Sequence, residues 1–373
     1  MKIAVNTRLL LPHKLEGIGW FTYEIFKRLT RDHPEVEWTF IFDRPYDQQF
    51  IFNDTIRAEV VWPPARHPLL WYLWFEWSIP LRLNKIGADL FVSPDGYLSL
   101  RSKIPSLAVI HDINFEHHRH HVPRIAGWYY RHYFPRYARH ANRIATVSEY
   151  SRGDISSSYG VSANKIDLVY NGSGDFFRPL TAEKQAEVRR EISREKPYFV
   201  FIGALNPRKN ISGMLAAFER YCEDGGAANF VIVGERMFWN EEIEQAWERH
   251  PYRNRIIFTG RLEGEGLNRV LASSLALLFV SHFEGFGIPI VEAFNAGVPV
   301  ITSTTTSMPE VAGDAALLCE PENYDQIAAA MRQVEEPSIR NNLIQKGKQR
   351  AEKFTWDRSA EMMWQSIENT LTQ

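Results

Sequence analysis

Cysteine is nearly missing from this chain. Of 373 residues only Cys222 and Cys319 carry a thiol, far apart in sequence. That excludes a disulfide framework and a zinc site built mainly from cysteines, and it suits a reducing cytoplasm. Long apolar runs are missing too. The most apolar window, LLWYLWFEWSIPL at 69–81, is too short to span a bilayer and is interrupted by Glu76. The opening MKIAVNTRLL lacks the apolar core of a signal peptide. An integral membrane protein is not expected, although a protein lying on a membrane is allowed. Net charge is only −2 and gives no global attraction to nucleic acid. One absence is local: residues 117–143 contain six Arg, six His and no acidic residue, with six aromatics at 128–137.

What is present is the composition of a folded chain, 45% hydrophobic and 24% charged, which argues against disorder. Its length suits two domains better than one core. Short β-branched runs alternate with helical patterns, the signature of βαβ units and parallel sheets. Strands are expected at 2–5, 37–42, 89–93, 107–112 and 143–148. Helices are expected after Gly19 and near 125–140. The alternation restarts at 199–203 and continues through a helix from Ile211 and strands at 229–234, 255–260, 276–281 and 299–304. Charged residues displace the strand pattern at 173–197, which puts a boundary near 175 and domains at 1–174 and 175–354. The tail at 355–373 reads as an amphipathic helix with Ala360, Met363, Trp364 and Ile367 at helical spacing. Two doubly wound α/β domains facing a cleft are the expected fold, with ligands at the carboxyl ends of the strands.

The most informative stretch is HFEGFGIPIVEAFNAGVPVI, 282–301. It reads as strand, tight loop and helix, with Pro289 suited to the first helical turn and Gly297 to the end. Gly285 and Gly287 let the backbone approach a ligand closely. Amides of Phe286, Gly287 and Ile288 at a helix N-terminus favour an anion such as a diphosphate. Glu292 would lie roughly 6 Å further along the axis, about the distance from a phosphate to its ribose. Ionised carboxylates accept from sugar hydroxyls, two at a time where geometry permits. Taken alone, Glu284 could be a plain loop residue and Glu292 a solvated helix position; the flanking glycines and Pro289 favour a site. FIGALNPRKN at 201–210 places Arg208 and Lys209 at another strand end, where a fork and a point charge can neutralise a diphosphate. Gly17 and Gly19 in LEGIGW form a glycine loop leading into a helix, a weak signal by itself.

Together, E-G-F-G-x-P-x-x-E-A followed by G-x-P-V resembles the E-x7-E signature of retaining nucleotide-sugar glycosyltransferases of the GT-B fold, bacterial family 4 and mannosyltransferase-like. The resemblance extends over nearly the whole chain, through GIGWFTYEIFKRL, VIHDINF, TVSEYSRGDI, VYNGSGDFFRP and a tail that crosses back onto the first domain. It implies a donor-binding second domain, an acceptor-binding first domain and transfer of a hexosyl group with retention. Glu284 would hold donor-sugar hydroxyls, with Phe286 and Gly287 amides near the sugar and diphosphate. Glu292 would take the ribose hydroxyls. Arg208 and Lys209 would stabilise the departing nucleoside diphosphate. His111 would approach the donor sugar from the opposing domain, and Gly17 and Gly19 would let the first loop close over the phosphates. Backbone around Arg261 and Leu262 would line the base pocket. Many relatives carry an arginine where this chain has Ala204, so Arg208 and Lys209 supply that loop's positive charge. No Asp-x-Asp occurs, which fits a site needing no metal or other cofactor.

The donor is expected to be GDP-mannose, with UDP-glucose and UDP-N-acetylglucosamine open. The acceptor would be a glycan or lipid-linked hydroxyl in surface polysaccharide or glycolipid synthesis. A nucleotide-sugar 2-epimerase is the alternative within the fold, and a non-catalytic nucleotide-sugar or RNA-binding protein the alternative outside it. The four histidines within 117–121 could hold a metal, but no neighbouring cysteine or carboxylate completes a site. Nucleic acid is disfavoured by the overall charge. A face for an anionic membrane or a phosphorylated acceptor is the better reading, with 69–77 adding apolar contact and, for the membrane, a location on the inner face of the cytoplasmic membrane. Against it, Trp128, Tyr133 and Tyr137 could simply pack as core.

Overall fold

A computed structural model describes residues 1–12, 15–119, 122–236 and 239–372. It divides into two compact units, Met1–Asn171 with Trp356–Gln373, and Gly172–Thr355. In the first unit seven parallel strands run β1 Lys2–Asn6, β2 Glu37–Phe42, β3 Ile56–Val60, β4 Leu90–Ser93, β5 Ser106–Val109, β6 Arg143–Thr146 and β7 Ile166–Leu168. Their order across the sheet is β3-β2-β1-β4-β5-β6-β7. The second unit has β8 Tyr198–Ile202, β9 Asn229–Val233, β10 Ile256–Gly260, β11 Ala276–Phe279, β12 Val300–Ser303 and β13 Ala316–Cys319, in the order β10-β9-β8-β11-β12-β13. These are two Rossmann-like sheets of the expected class. Central strands such as β8 and β9 are buried along their whole length, as a sheet covered by helices on both faces requires.

Three strands escaped the sequence pattern, β3, β7 and β13. Each is an edge strand. Their exposed or half-buried positions replace the apolar run of a central strand. The tail forms the helix Trp356–Leu371, burying Ala360, Met363 and Ile367. It packs on the helix Gly17–Asp32 of the same unit, where Arg28 pairs with Asp357 at 2.8 Å and Trp364 stacks on His33.

That first helix corrects one expectation. Gly17 and Gly19 are its first and third residues rather than part of a loop before it. A side chain at Gly19 would come within 3.0 Å of the Leu9 carbonyl and 3.1 Å of the Leu15 side chain, whereas one at Gly17 would meet nothing. Only Gly19 is demanded by packing.

Candidate active site

In each sheet the strand order reverses direction between its first and fourth strands, the switch point where a crevice opens at the carboxyl ends. In the second unit that point lies between β8 and β11. The chain leaving β8 carries Arg208 and Lys209; the chain leaving β11 carries Glu284.

Local chemistry explains how the loops are held. After β8 the chain makes one 3-10 turn, Pro207–Lys209, and stops at Asn210 in the left-handed region, φ 56°. Asparagine tolerates that conformation better than most residues. The Asn210 amide donates to the Val280 and Pro321 carbonyls at 3.0 and 2.9 Å, fixing the turn to the end of β11. His282 N–H donates to the Arg208 carbonyl at 3.0 Å, and Arg208 Nη1 donates to the Phe283 carbonyl at 2.8 Å. The two loops are thus stitched by one backbone-to-backbone bond and by side chains that donate to carbonyls.

This stitching aims two cations at one carboxylate. Arg208 Nη1 lies 2.9 Å from Glu284 Oε2, and Lys209 Nζ lies 2.5 Å from Oε1. Glu284 is 6% exposed. Burial alone would raise its carboxyl, but Arg208 and Lys209 hold it below the ordinary value. Lys209 also lies over the Phe279 ring at 4.9 Å, which keeps its stem in place.

The helix after this loop spans Ile288–Asn295, and no side chain caps it. Gly287 stands at its N-cap with φ 98°, a backbone that side chains rarely adopt; a Cβ there would also press on Ile290 at 3.1 Å. Glu292 sits in the helix's second turn. Its carboxylate has no hydrogen-bonding or ionic partner among the described residues, and burial pushes it up to about 8. Arg261 and Leu262 follow β10 at the same sheet edge, with the Arg261 side chain on Glu263 at 2.6 Å.

Sequence reasoning missed a brace behind the glutamate loop. The hydroxyl run after β12 meets it: Thr306 Oγ1 accepts from Glu284 N–H at 3.2 Å. Ser307 Oγ donates to the carbonyls of Glu284 at 2.8 Å and Phe286 at 3.1 Å. Thr306 has φ 55°, a strained conformation for a β-branched residue. The signal available was TSTTTS at 302–307, a density of hydroxyls unusual for a strand end.

In the first unit His111 follows β5, and its Nε2 lies 2.9 Å from the Pro94 carbonyl. A carbonyl only accepts, so Nε2 carries the hydrogen and Nδ1 presents a lone pair when the ring is neutral. Burial keeps the ring's pKa below the usual histidine value, which favours that neutral form. The histidine run is less isolated than its sequence suggests, because His117 Nε2 contacts both oxygens of Asp154 at 2.9 Å. His120 and His121 lie outside the described residues. Among those described, no group of three or more His, Cys, Asp or Glu is placed to hold a metal.

Comparison with known proteins fits this geometry. Residues 183–350 match the family described as Glycosyl transferases group 1, and residues 15–173 match Glycosyltransferase Family 4. This chain belongs to the group 1, family 4 glycosyltransferases. The O-antigen chain mannosyltransferase B of Escherichia coli is 32% identical over 58% of this chain and 58% of its own length. The serotype-specific mannosyltransferase WbdA of Escherichia coli is 27% identical over 62% of this chain and 29% of its own. The matched segment therefore spans little more than half of one relative and under a third of the other. The structure of Anabaena HepE in complex with UDP and glucose shares the fold, with TM-score 0.75 over 99% of both chains at 17% identity. Family and GT-B fold are as the glutamate motif implied.

Proposed function

We propose that the chain transfers a mannosyl group, with retention and without a metal, from GDP-mannose to an acceptor hydroxyl in surface-polysaccharide or glycolipid assembly. The observation that carries this reading is the contrast between two glutamates eight residues apart. Glu284 is saturated by two cations, whereas Glu292 is half-buried and has no donor among the described residues. A carboxylate so placed lacks hydroxyl partners, and a ribose brings a vicinal pair. On this reading Gly287 and Ile288 amides and the cations Arg208 and Lys209 receive the diphosphate, and Arg261 and Leu262 backbone borders the base. Glu284, fixed by its cations, orients the sugar hydroxyls with Gly285 and Phe286 beside it. His111, with its Nδ1 lone pair, and the helix N-terminus at Gly17 and Gly19 are the first unit's candidates for contact with substrate. Mannose rests on the two relatives named as mannosyltransferases.

Melting of the purified protein against GDP, UDP, ADP and their sugars, in EDTA, tests the site. A nucleotide at one hundred times its dissociation constant stabilises by about 2.7 kcal/mol. The expected shift comes with GDP and GDP-mannose and is lost in Glu292→Ala and Arg208→Ala. A UDP-specific shift would change the donor; no shift with any nucleotide would remove the site.

A further inference from the structure

Residues 68–86 form one continuous helical rod in the first unit: Pro68–Leu73, a π-helical turn Trp74–Ser78 and Ile79–Ile86. One side buries Trp74, Phe75, Ile79 and Leu83 in the core. The other leaves Leu69, Leu73, Trp77 and Leu81 exposed at 63%, 38%, 48% and 70%. Residues four apart on an α-helix overshoot a full turn by about 40° at each step, so such a stripe should wind around the rod. The π turn, in which Ile79 N–H reaches back to the Trp74 carbonyl, has a wider turn and takes back part of that drift. All four side chains stay on the solvent side. Trp62, 77% exposed, extends the patch, since its carbonyl accepts from Ser78 Oγ at 2.8 Å.

The rim is basic. Arg66 and Arg101 are exposed, and the Arg101 guanidinium lies over the Trp77 ring at 3.7 Å, while Lys85 at the far end shares a surface hollow with Arg57, Arg82, Glu37 and Glu59. Glu76 is the only acid in residues 62–88, and it is turned inward, 3% exposed and accepting from Leu100 N–H at 3.1 Å. Residues 62–143 hold eleven Lys and Arg against five Asp and Glu, in a chain of net charge −2. Water solvates such a stripe poorly, and a second copy of the chain would set two basic rims against each other.

We propose that this face docks on an anionic lipid bilayer, the leucines and tryptophans entering the headgroup–acyl boundary and the rim meeting lipid phosphates. Docking is independent of the donor site and needs no nucleotide.

Co-sedimentation with phosphatidylcholine vesicles, with and without phosphatidylglycerol, tests it. The wild-type chain should bind the phosphatidylglycerol vesicles at least ~10-fold more tightly than the neutral ones, and lose that advantage at high salt. A Leu73→Glu/Trp77→Glu double variant should bind ~10-fold or more weakly while melting like wild type. Arg101→Glu should lose less. The proposal is overturned if the wild type ignores phosphatidylglycerol vesicles or if the double variant binds them equally well. A dimer on size exclusion that the double variant abolishes, without vesicle binding, would also overturn it and assign the face to self-association.

Discussion

The switch points of the two sheets carry the same pair in different settings. After β1 and β4, Arg8 meets Asp95 at 2.5 Å; after β8 and β11, Arg208 meets Glu284 at 2.9 Å. The first pair is sealed. Its side chains are 7% and 4% exposed, and the rings of Tyr97 and Phe75 lie over the Arg8 guanidinium at 4.3 and 5.3 Å. Asn6 and the Ala65 carbonyl take up remaining hydrogen-bonding capacity. The second pair is more open: Arg208 is 22% exposed, a second cation shares the carboxylate, and a helix N-terminus without a side-chain cap stands beside it. An ion pair enclosed by aromatic rings can serve the fold alone. On the proposed reading, the pair beside an uncapped helix N-terminus exchanges partners with an incoming anion.

The largest effect should come from breaking the sealed pair. Asp95→Ala leaves Arg8 buried without its carboxylate and should cost about 3–5 kcal/mol in urea unfolding. Nucleotide-induced stabilisation should survive in whatever protein still folds. An unfolding cost under ~1 kcal/mol would show that the pair is solvated after all. Glu284→Gln should behave in the opposite way. It keeps the shape and removes the charge between Arg208 and Lys209, for a stability loss of about 2 kcal/mol. Turnover should fall on the order of 10²- to 10³-fold, because a neutral amide no longer fixes the cations or accepts the sugar hydroxyls as well. Normal turnover in this variant would move the chemistry elsewhere.

The sequence made some of this difference visible and hid the rest. Glu284, Glu292, Arg208 and Lys209 could be read because glycine, proline and charge mark strand ends within a few residues. The Arg8–Asp95 pair could not, since its members are 87 residues apart and neither stands in a distinctive local pattern. The edge strands β3, β7 and β13 escaped for a related reason: half-exposed strands need fewer apolar residues, so pattern alone reads them as loop. Thr306 and Ser307 act through main-chain atoms of another loop, a contact that no local periodicity encodes. The aromatic run at 128–137 was divided only by the fold, which buries Tyr137 and exposes Trp128 at 58%.

The smallest effect is the most discriminating for the open site. Glu292 titrates at about 8 in the folded chain, against roughly 4.3 when unfolded. Between those values the folded state holds the extra proton, so its stability is greatest at the acid end of the window and declines as pH rises towards 8. Because the side chain is only half-buried, water screening limits the loss to about 1 kcal/mol. Glu292→Gln removes the titration. The nucleotide-free variant should therefore match wild type near about pH 5 and exceed it by about 1 kcal/mol near about pH 9, read from melting curves. Nucleotide reverses the order, since ribose hydroxyls donate to the ionised carboxylate and the amide replaces that acceptor poorly. Wild-type affinity should then rise with pH by about fivefold in all, the equivalent of that 1 kcal/mol, and level off above the midpoint near 8, while the variant binds weakly and without pH dependence. Parallel curves for the two proteins, with and without nucleotide, would mean that Glu292 is already solvated and charged, and that the contrast with Glu284 has no bearing on the donor.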